Sequence, residues 1–157
     1  MGPETPLRIA GPSDVGVVTG LVGDFRDFLE ARSPANAEIE AAVSALIGDR
    51  HTEYLLVGSP EAGVAQLRFR LSVWSGTEDA WLEDVFVQES ARGEGFGRAL
   101  VEAAIERARS RGCSRIQLET NQNNRNAIAL YEAAGFNACH LPAFWKGAPD
   151  ICFTREI

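Results

Sequence analysis

Between Val85 and Leu100 the chain passes from an apolar run, Val85-Phe86-Val87, through a turn with glycine at every second position, Gly93, Gly95 and Gly97, into a helical repeat. Glycine lets the backbone take φ > 0 at each of these positions and leaves its amides unshielded. The helix that follows adds unpaired N–H groups and the positive end of its dipole. The stretch therefore predicts a strand, a cradle for phosphate or pyrophosphate, and a helix N-terminus. Arg92 and Arg98 bracket the turn, and Glu94 and Phe96 lie within it. A Gly-Lys-Ser/Thr ending and a G-x-G-x-x-G spacing are both absent, which sets aside two other phosphate loops. On its own, such a turn is equally a tight strand-to-helix connection.

Periodicity places the remaining elements around it. Residues 7–10 alternate as a first strand, and Gly11-Pro12-Ser13-Asp14 is a helix start. Val15, Val18, Val22, Phe25 and Leu29 then recur at helical spacing. Gly16, Gly20 and Gly23 each cost that helix about 1 kcal/mol relative to alanine, so either packing holds it or its backbone approaches something closely. Beyond Pro34, a second amphipathic face of Ile39, Ala42, Val43, Leu46 and Ile47 ends at Gly48. Strands are predicted over 53–57, 64–74 and 81–87, the first two joined by a turn-rich hairpin. Gly97, Leu100, Val101, Ala104, Ile105 and Ala108 line one helix face, closed by Gly112. A strand over 115–120, a polar loop ending at Asn124, a helix over 125–134 stopped by Gly135, and strands over 136–141 and 151–157 complete the chain. The order is β-α-α-β-β-β-α-β-α-β-β, an α/β fold with a mixed central sheet and helices on both faces, in one domain over residues 1–157.

Composition narrows the function classes. A net charge of −7 disfavours nucleic acid as a partner and suits a cationic amine. No apolar run approaches the roughly 20 residues that span a bilayer and no signal segment opens the chain, so a cytoplasmic protein without membrane contact is expected. Cys113, Cys139 and Cys152 form no C-x-x-C pair and are expected as buried free thiols. His51 and His140 are too isolated for a metal cluster, and no metal is expected.

Arg92-x-x-Gly95-x-Gly97 after a strand resembles the acetyl-CoA-binding signature Q/R-x-x-G-x-G/A of the GNAT acetyltransferases. The segment from Asn124 to Phe136 is similar to the same family's N-x-x-A-x-x-L-Y-E-x-x-G-F, and the element order is the family's. The match is carried by motif over 81–136 and by element order elsewhere. The resemblance implies a GNAT-like fold with acetyl-CoA as acetyl donor. It places pantetheine along Val85, Phe86 and Val87, on the backbone of the first and last, beside a bulge that splays two neighbouring strands. The pyrophosphate would lie on Arg92, Gly93, Glu94, Gly95, Phe96, Gly97 and Arg98. Asn124, Ala127 and Tyr131 share one helix face, and the resemblance makes Asn124 a pantetheine contact and Tyr131 the acid that protonates the departing thiolate. Read from the residues alone, Tyr131 is better explained as a core aromatic with a satisfied hydroxyl. The family also implies the Val87 amide as oxyanion donor.

Acetylation of an amine needs a group to take its proton, for which a carboxylate is suited. Glu83, Glu119 and Asp84 are the candidates, in that order. Leu82-Glu83-Asp84-Val85-Phe86-Val87 resembles the strand of diamine acetyltransferases whose residue at the place of Glu83 is a proposed base, and Glu119 resembles a position used in ribosomal-protein N-terminal acetyltransferases. Neighbours on a strand face opposite ways, so Glu83 and Asp84 share a site only across a bulge. The expected reaction is direct attack of a small-molecule or peptide amine on the thioester, without a cysteine nucleophile. A non-catalytic acetyl-CoA-binding regulatory module and transfer of a longer acyl group are the alternatives. Trp74, Trp81, Phe144 and Trp145 are open to three uses: cation–π contact with an amine, core packing, or a homodimer interface.

Overall fold

The structure is a computed structural model that describes residues 4–138 and 150–157. Strand β1 (Leu7–Ile9) leads through a single 3-10 turn (Pro12–Asp14) into α1 (Val15–Phe28), followed by α2 (Asn36–Leu46). The turn is built as its sequence suggests, with Pro12 at its first position and the Asp14 carboxylate accepting the Gly11 N–H at 2.8 Å. Two 2.8 Å hydrogen bonds from Arg8, then the Gly11 amide, hold that carboxyl down at about 2. Strands β2 (Thr52–Val57), β3 (Gly63–Leu71) and β4 (Glu78–Val87) come next, then α3 (Phe96–Ser110), β5 (Arg115–Asn121), α4 (Arg125–Ala133), β6 (Asn137–Ala138) and β7 (Asp150–Glu156). The predicted order is found element for element.

Among the described residues the strands join one sheet of order β1-β2-β3-β4-β5-β7-β6, in which only β4 and β5 pair in parallel. Alternation along the central strands feeds two cores. Leu55, Val57, Ala65 and Leu67 pack with Leu100, Val101, Ala104, Ile105 and Ala108 of α3. Tyr54, Leu56 and Val64 face the other way, onto Val18 and Leu21 of α1 and Ile39 and Val43 of α2. Because β2 and the first half of β3 are covered on both faces, most of their residues are buried, while β3 emerges into solvent at Arg70 and Leu71. A Cβ at Gly16 or Gly20 would meet nothing within 4 Å. Packing on the opposite face of α1 therefore offsets its poor helix propensity at these two positions, while buried Gly23, where a Cβ would lie 3.5 Å from the Asn36 side chain, faces the start of α2.

Several expectations need correction. The strand predicted over 64–74 stops at Leu71, because Ser72 and Thr77 close a turn in which Gly76 adopts φ +71°. Trp74 stands at that tip 93% exposed, and Trp81 lies under the Arg70 guanidinium at 4.5 Å. Phe144, Trp145 and most of the strand predicted over 136–141 lie outside the described residues. Cys113 is buried and free, whereas Cys152 is disulfide-bonded, against the free-thiol expectation.

Candidate active site

The site begins with a slip in register. Gln66 of β3 pairs with Asp84 while the next residue, Leu67, pairs with Leu82, so Glu83 is an extra, unpaired residue on β4. The bulge reverses the parity of the strand. Before it, Ala80 and Leu82 enter the core beneath α3; after it, Val85 and Val87 pack against that core and Phe86 turns to α1. Glu83 and Asp84 can thus address one cleft, which an unbroken strand forbids.

Backbone groups follow the same logic. The Gln88 N–H donates to the Ala62 carbonyl at 2.8 Å, and hydrogen-bonded and open pairs alternate along an antiparallel ladder. Phe86 is then bonded to β3, while the amides and carbonyls of Val85 and Val87 point away from it, toward β5. Strand β5 does not receive them. It pairs with β4 only at Ala80↔Ile116 and Trp81↔Gln117, and beyond that the two strands diverge. The result is a wedge with unpaired backbone donors and acceptors along one wall, suited to an amide-bearing ligand.

At the wide end stands the glycine turn. Gly93 and Gly95 take φ +86° and +83°, and a Cβ on either would meet nothing, so conformation alone calls for glycine. Gly95 is the N-cap of α3 and provides no side-chain cap, which leaves the first amides of the helix exposed toward the wedge. Gly97 departs from the expected left-handed conformation. It lies in the first helical turn, where a Cβ would come 3.4 Å from Leu130, and its lack of a side chain keeps the cleft open. Arg98 points away and pairs with Glu102 at 2.7 Å. Arg92 lies across the cleft: its Nε donates to the Val87 carbonyl at 3.1 Å and its guanidinium sits 4.4 Å over the Phe28 ring. Glu94 is exposed, and Phe96 packs against the core below α3.

The opposite wall is α4. Asn124 caps it by accepting the Ala127 N–H at 3.2 Å, which directs the first turn of the helix at the wedge. Ala127 and Tyr131 line the same cleft, and Tyr131 is buried against Phe136 and Phe153 with ring centroids 5.9 and 6.3 Å away. Burial first, then the charge of Asp84, push its phenol up to about 12, so it holds its proton throughout the neutral range. The cleft measures about 440 Å³ and brings together Glu83, Asp84, Val85, Phe86, Val87, Arg92, Gly97, Glu119, Asn124, Ala127 and Tyr131. Gly93, Glu94, Gly95, Phe96 and Arg98 are not among its lining residues.

Phe25 and Phe28 of α1 and Leu29 just beyond it also border the cleft, and sequence reasoning missed them as site residues. Phe25 stacks on Phe86 at 5.2 Å, while Phe28 and Leu29 stay 51% and 59% exposed at the helix end. They read as part of an ordinary apolar face. A neighbouring groove of about 650 Å³ continues past Phe28 and Phe86 and carries Asp24, Asp27 and Glu89. Among the described residues, no helix is long and apolar enough to cross a membrane.

Comparison with known proteins gives a consistent result. The model of the acetyltransferase (GNAT) family matches residues 24–136. An aminoglycoside N(6′)-acetyltransferase type 1 from Stenotrophomonas maltophilia is 31% identical over 148 residues, 89% of this chain and 91% of the relative. The thialysine N-epsilon-acetyltransferase of Mus musculus is 27% identical over 143 residues, covering 84% of each. The crystal structure of an Arthrobacter sp. FB24 protein superposes with a TM-score of 0.81 at 31% identity over 89% of both chains.

Proposed function

Since the chain belongs to the GNAT family of acetyl-CoA-dependent N-acetyltransferases, we propose that it acetylates a primary amine of a small cationic molecule or a peptide by direct attack in the cleft between β4 and β5. One observation carries this reading: the diverging strands leave the Val85 backbone and the Val87 amide without a strand partner in the cleft that Gly97 and Tyr131 also line, the Val87 carbonyl being taken by Arg92. The residues suit the donor. Gly93 and Gly95 leave the start of α3 open for pyrophosphate, Val85 and Val87 offer hydrogen bonds to pantetheine amides, and Asn124 and Ala127 form the facing wall. When bound, acetyl-CoA supplies a thioester carbonyl and a thiolate leaving group. Near that carbonyl the Val87 amide is the oxyanion donor, and Tyr131 holds the proton destined for sulfur. Glu83, Glu119 and Asp84 are the carboxylates within reach of the acceptor nitrogen, and the likeness to diamine acetyltransferases favours Glu83.

A cationic acceptor is supported by those carboxylates, by the net charge of −7 and by the relatives that act on thialysine and on aminoglycosides. The test is acetyl-CoA turnover against thialysine, lysine, polyamines, aminoglycosides and peptides with free N-termini. The proposal expects a cationic amine to be acetylated best, and turnover confined to neutral or anionic acceptors would contradict it.

A further inference from the structure

We infer that Asp84 is the catalytic residue that takes the proton of the acceptor ammonium, while Glu83 and Glu119 attract the cation to the cleft without carrying the proton. This rests on the acetyl transfer proposed above, and it reverses the order that the sequence suggests.

Exposure separates the three carboxylates. Glu83 and Glu119 are exposed to solvent, and Asp84 is sheltered. The register sets Asp84 at the end of a lateral row, Tyr54–Gln66–Asp84, across β2, β3 and β4. Among the described residues Asp84 has no hydrogen bond or ion pair, although nearly every sheltered carboxylate has one. The charged and titratable groups near it are Glu83 on its own strand, Tyr54 on β2, with Arg68 on β3 beside that phenol, Tyr131 on α4, and, lining the same cleft, Glu119 on β5 and Arg92 before the glycine turn. From α1 and its C-cap the cleft receives, among the described residues, Phe25, Phe28 and Leu29, none of them charged. A sheltered carboxylate without a partner, open to a cleft, is completed by a cation that enters the cleft. Its shelter, then the neighbouring charge of Glu83, also raises its pKa, which moves a base toward the working pH.

The protons balance. Asp84 takes one proton from the ammonium, the nitrogen–carbon bond forms, and the carbon–sulfur bond breaks as sulfur receives the Tyr131 proton. The second proton of the nitrogen restores the phenol, and the one held by Asp84 leaves to solvent. Asp84 and Tyr131 line the same cleft, and the Asp84 charge adds to burial in raising the pKa of the phenol.

The test compares Asp84→Asn, Glu83→Gln and Glu119→Gln by the pH dependence of kcat/KM, using thialysine and the best acceptor of the panel. Asp84→Asn is expected to lose roughly 100- to 10,000-fold at pH 7 and to recover as pH rises through the pKa of the amine itself. The two Gln variants should lose about 10-fold or less, mainly through KM, because they weaken attraction of the cation. A readout independent of turnover is titration by NMR. The Asp84 carboxyl should titrate above the ordinary aspartate range, and Tyr131 should titrate lower in Asp84→Asn than in wild type. An acidic limb retained in Asp84→Asn but lost in Glu83→Gln or Glu119→Gln, or an ordinary Asp84 titration, overturns the assignment alone. Absence of turnover by wild type with every amine overturns the proposed function and this assignment together.

Discussion

Tyr131, the proposed acid, packs as a core aromatic as well, so its two readings are separated by mutation. The ring fills space against Phe136 and Phe153, whichever role the hydroxyl has. Tyr131→Phe should therefore leave the denaturation midpoint nearly unchanged while kcat falls about 10- to 100-fold, at or below the low end of acid–base contributions because a thiolate already leaves readily. Near-wild-type kcat would return Tyr131 to the core-aromatic reading. Asp84→Asn should move stability the other way. The folded state holds that proton more tightly than the unfolded chain, so ionisation at neutral pH opposes folding. Chemical denaturation at pH 7 should show Asp84→Asn more stable than wild type, because the substitution removes the charge and keeps the shape. Equal or lower stability would indicate a partner for Asp84. Tyr54 and Tyr131 are both pushed up to about 12, burial being the first cause. The stability these phenols contribute is full below pH 10 and is lost as pH rises through 12.

At the scale of elements, α3 and its entry turn carry the cofactor prediction. Gly95→Val forces a β-branched side chain into φ +83°, and Gly97→Val fills the 3.4 Å space before Leu130. Both should abolish acetyl-CoA binding by calorimetry in protein that still folds. Unchanged affinity in a folded variant would move the donor elsewhere. Such contrasts show what the sequence made legible. The helical repeat of α3 was plain because one face is buried throughout, and the second motif could be placed because α4 is capped by its own Asn124. The purpose of Gly97 was not legible, because the need is spatial and is set by a residue on another helix. The bulge left a trace: the apolar residues run Ala80, Leu82 and then Val85, Val87, a change of parity around Glu83-Asp84. The divergence of β5 left none, since pairing between strands so distant in sequence is decided by the whole sheet. Trp74 was misplaced because an apolar turn tip has the composition of a strand.

For the whole molecule, net charge and site agree. The chain carries −7, and its cleft and the adjoining groove collect Glu83, Asp84, Glu119, Asp24, Asp27 and Glu89. Such a field concentrates cations, so kcat/KM for a multiply charged amine should fall as salt rises from about 0.01 to 1 M, where the screening length shrinks from about 30 to 3 Å. Indifference to salt would remove the electrostatic argument for the acceptor. The central claim, that an amine in the wedge between β4 and β5 attacks the acetyl donor directly, is tested most directly by following thiol release from acetyl-CoA and N-acetyl product together. The account predicts amine-dependent release, one thiol for each acetylated amine from the first turnover. Acetyl-CoA binding without amine-dependent release, or a burst of thiol ahead of product, would contradict it.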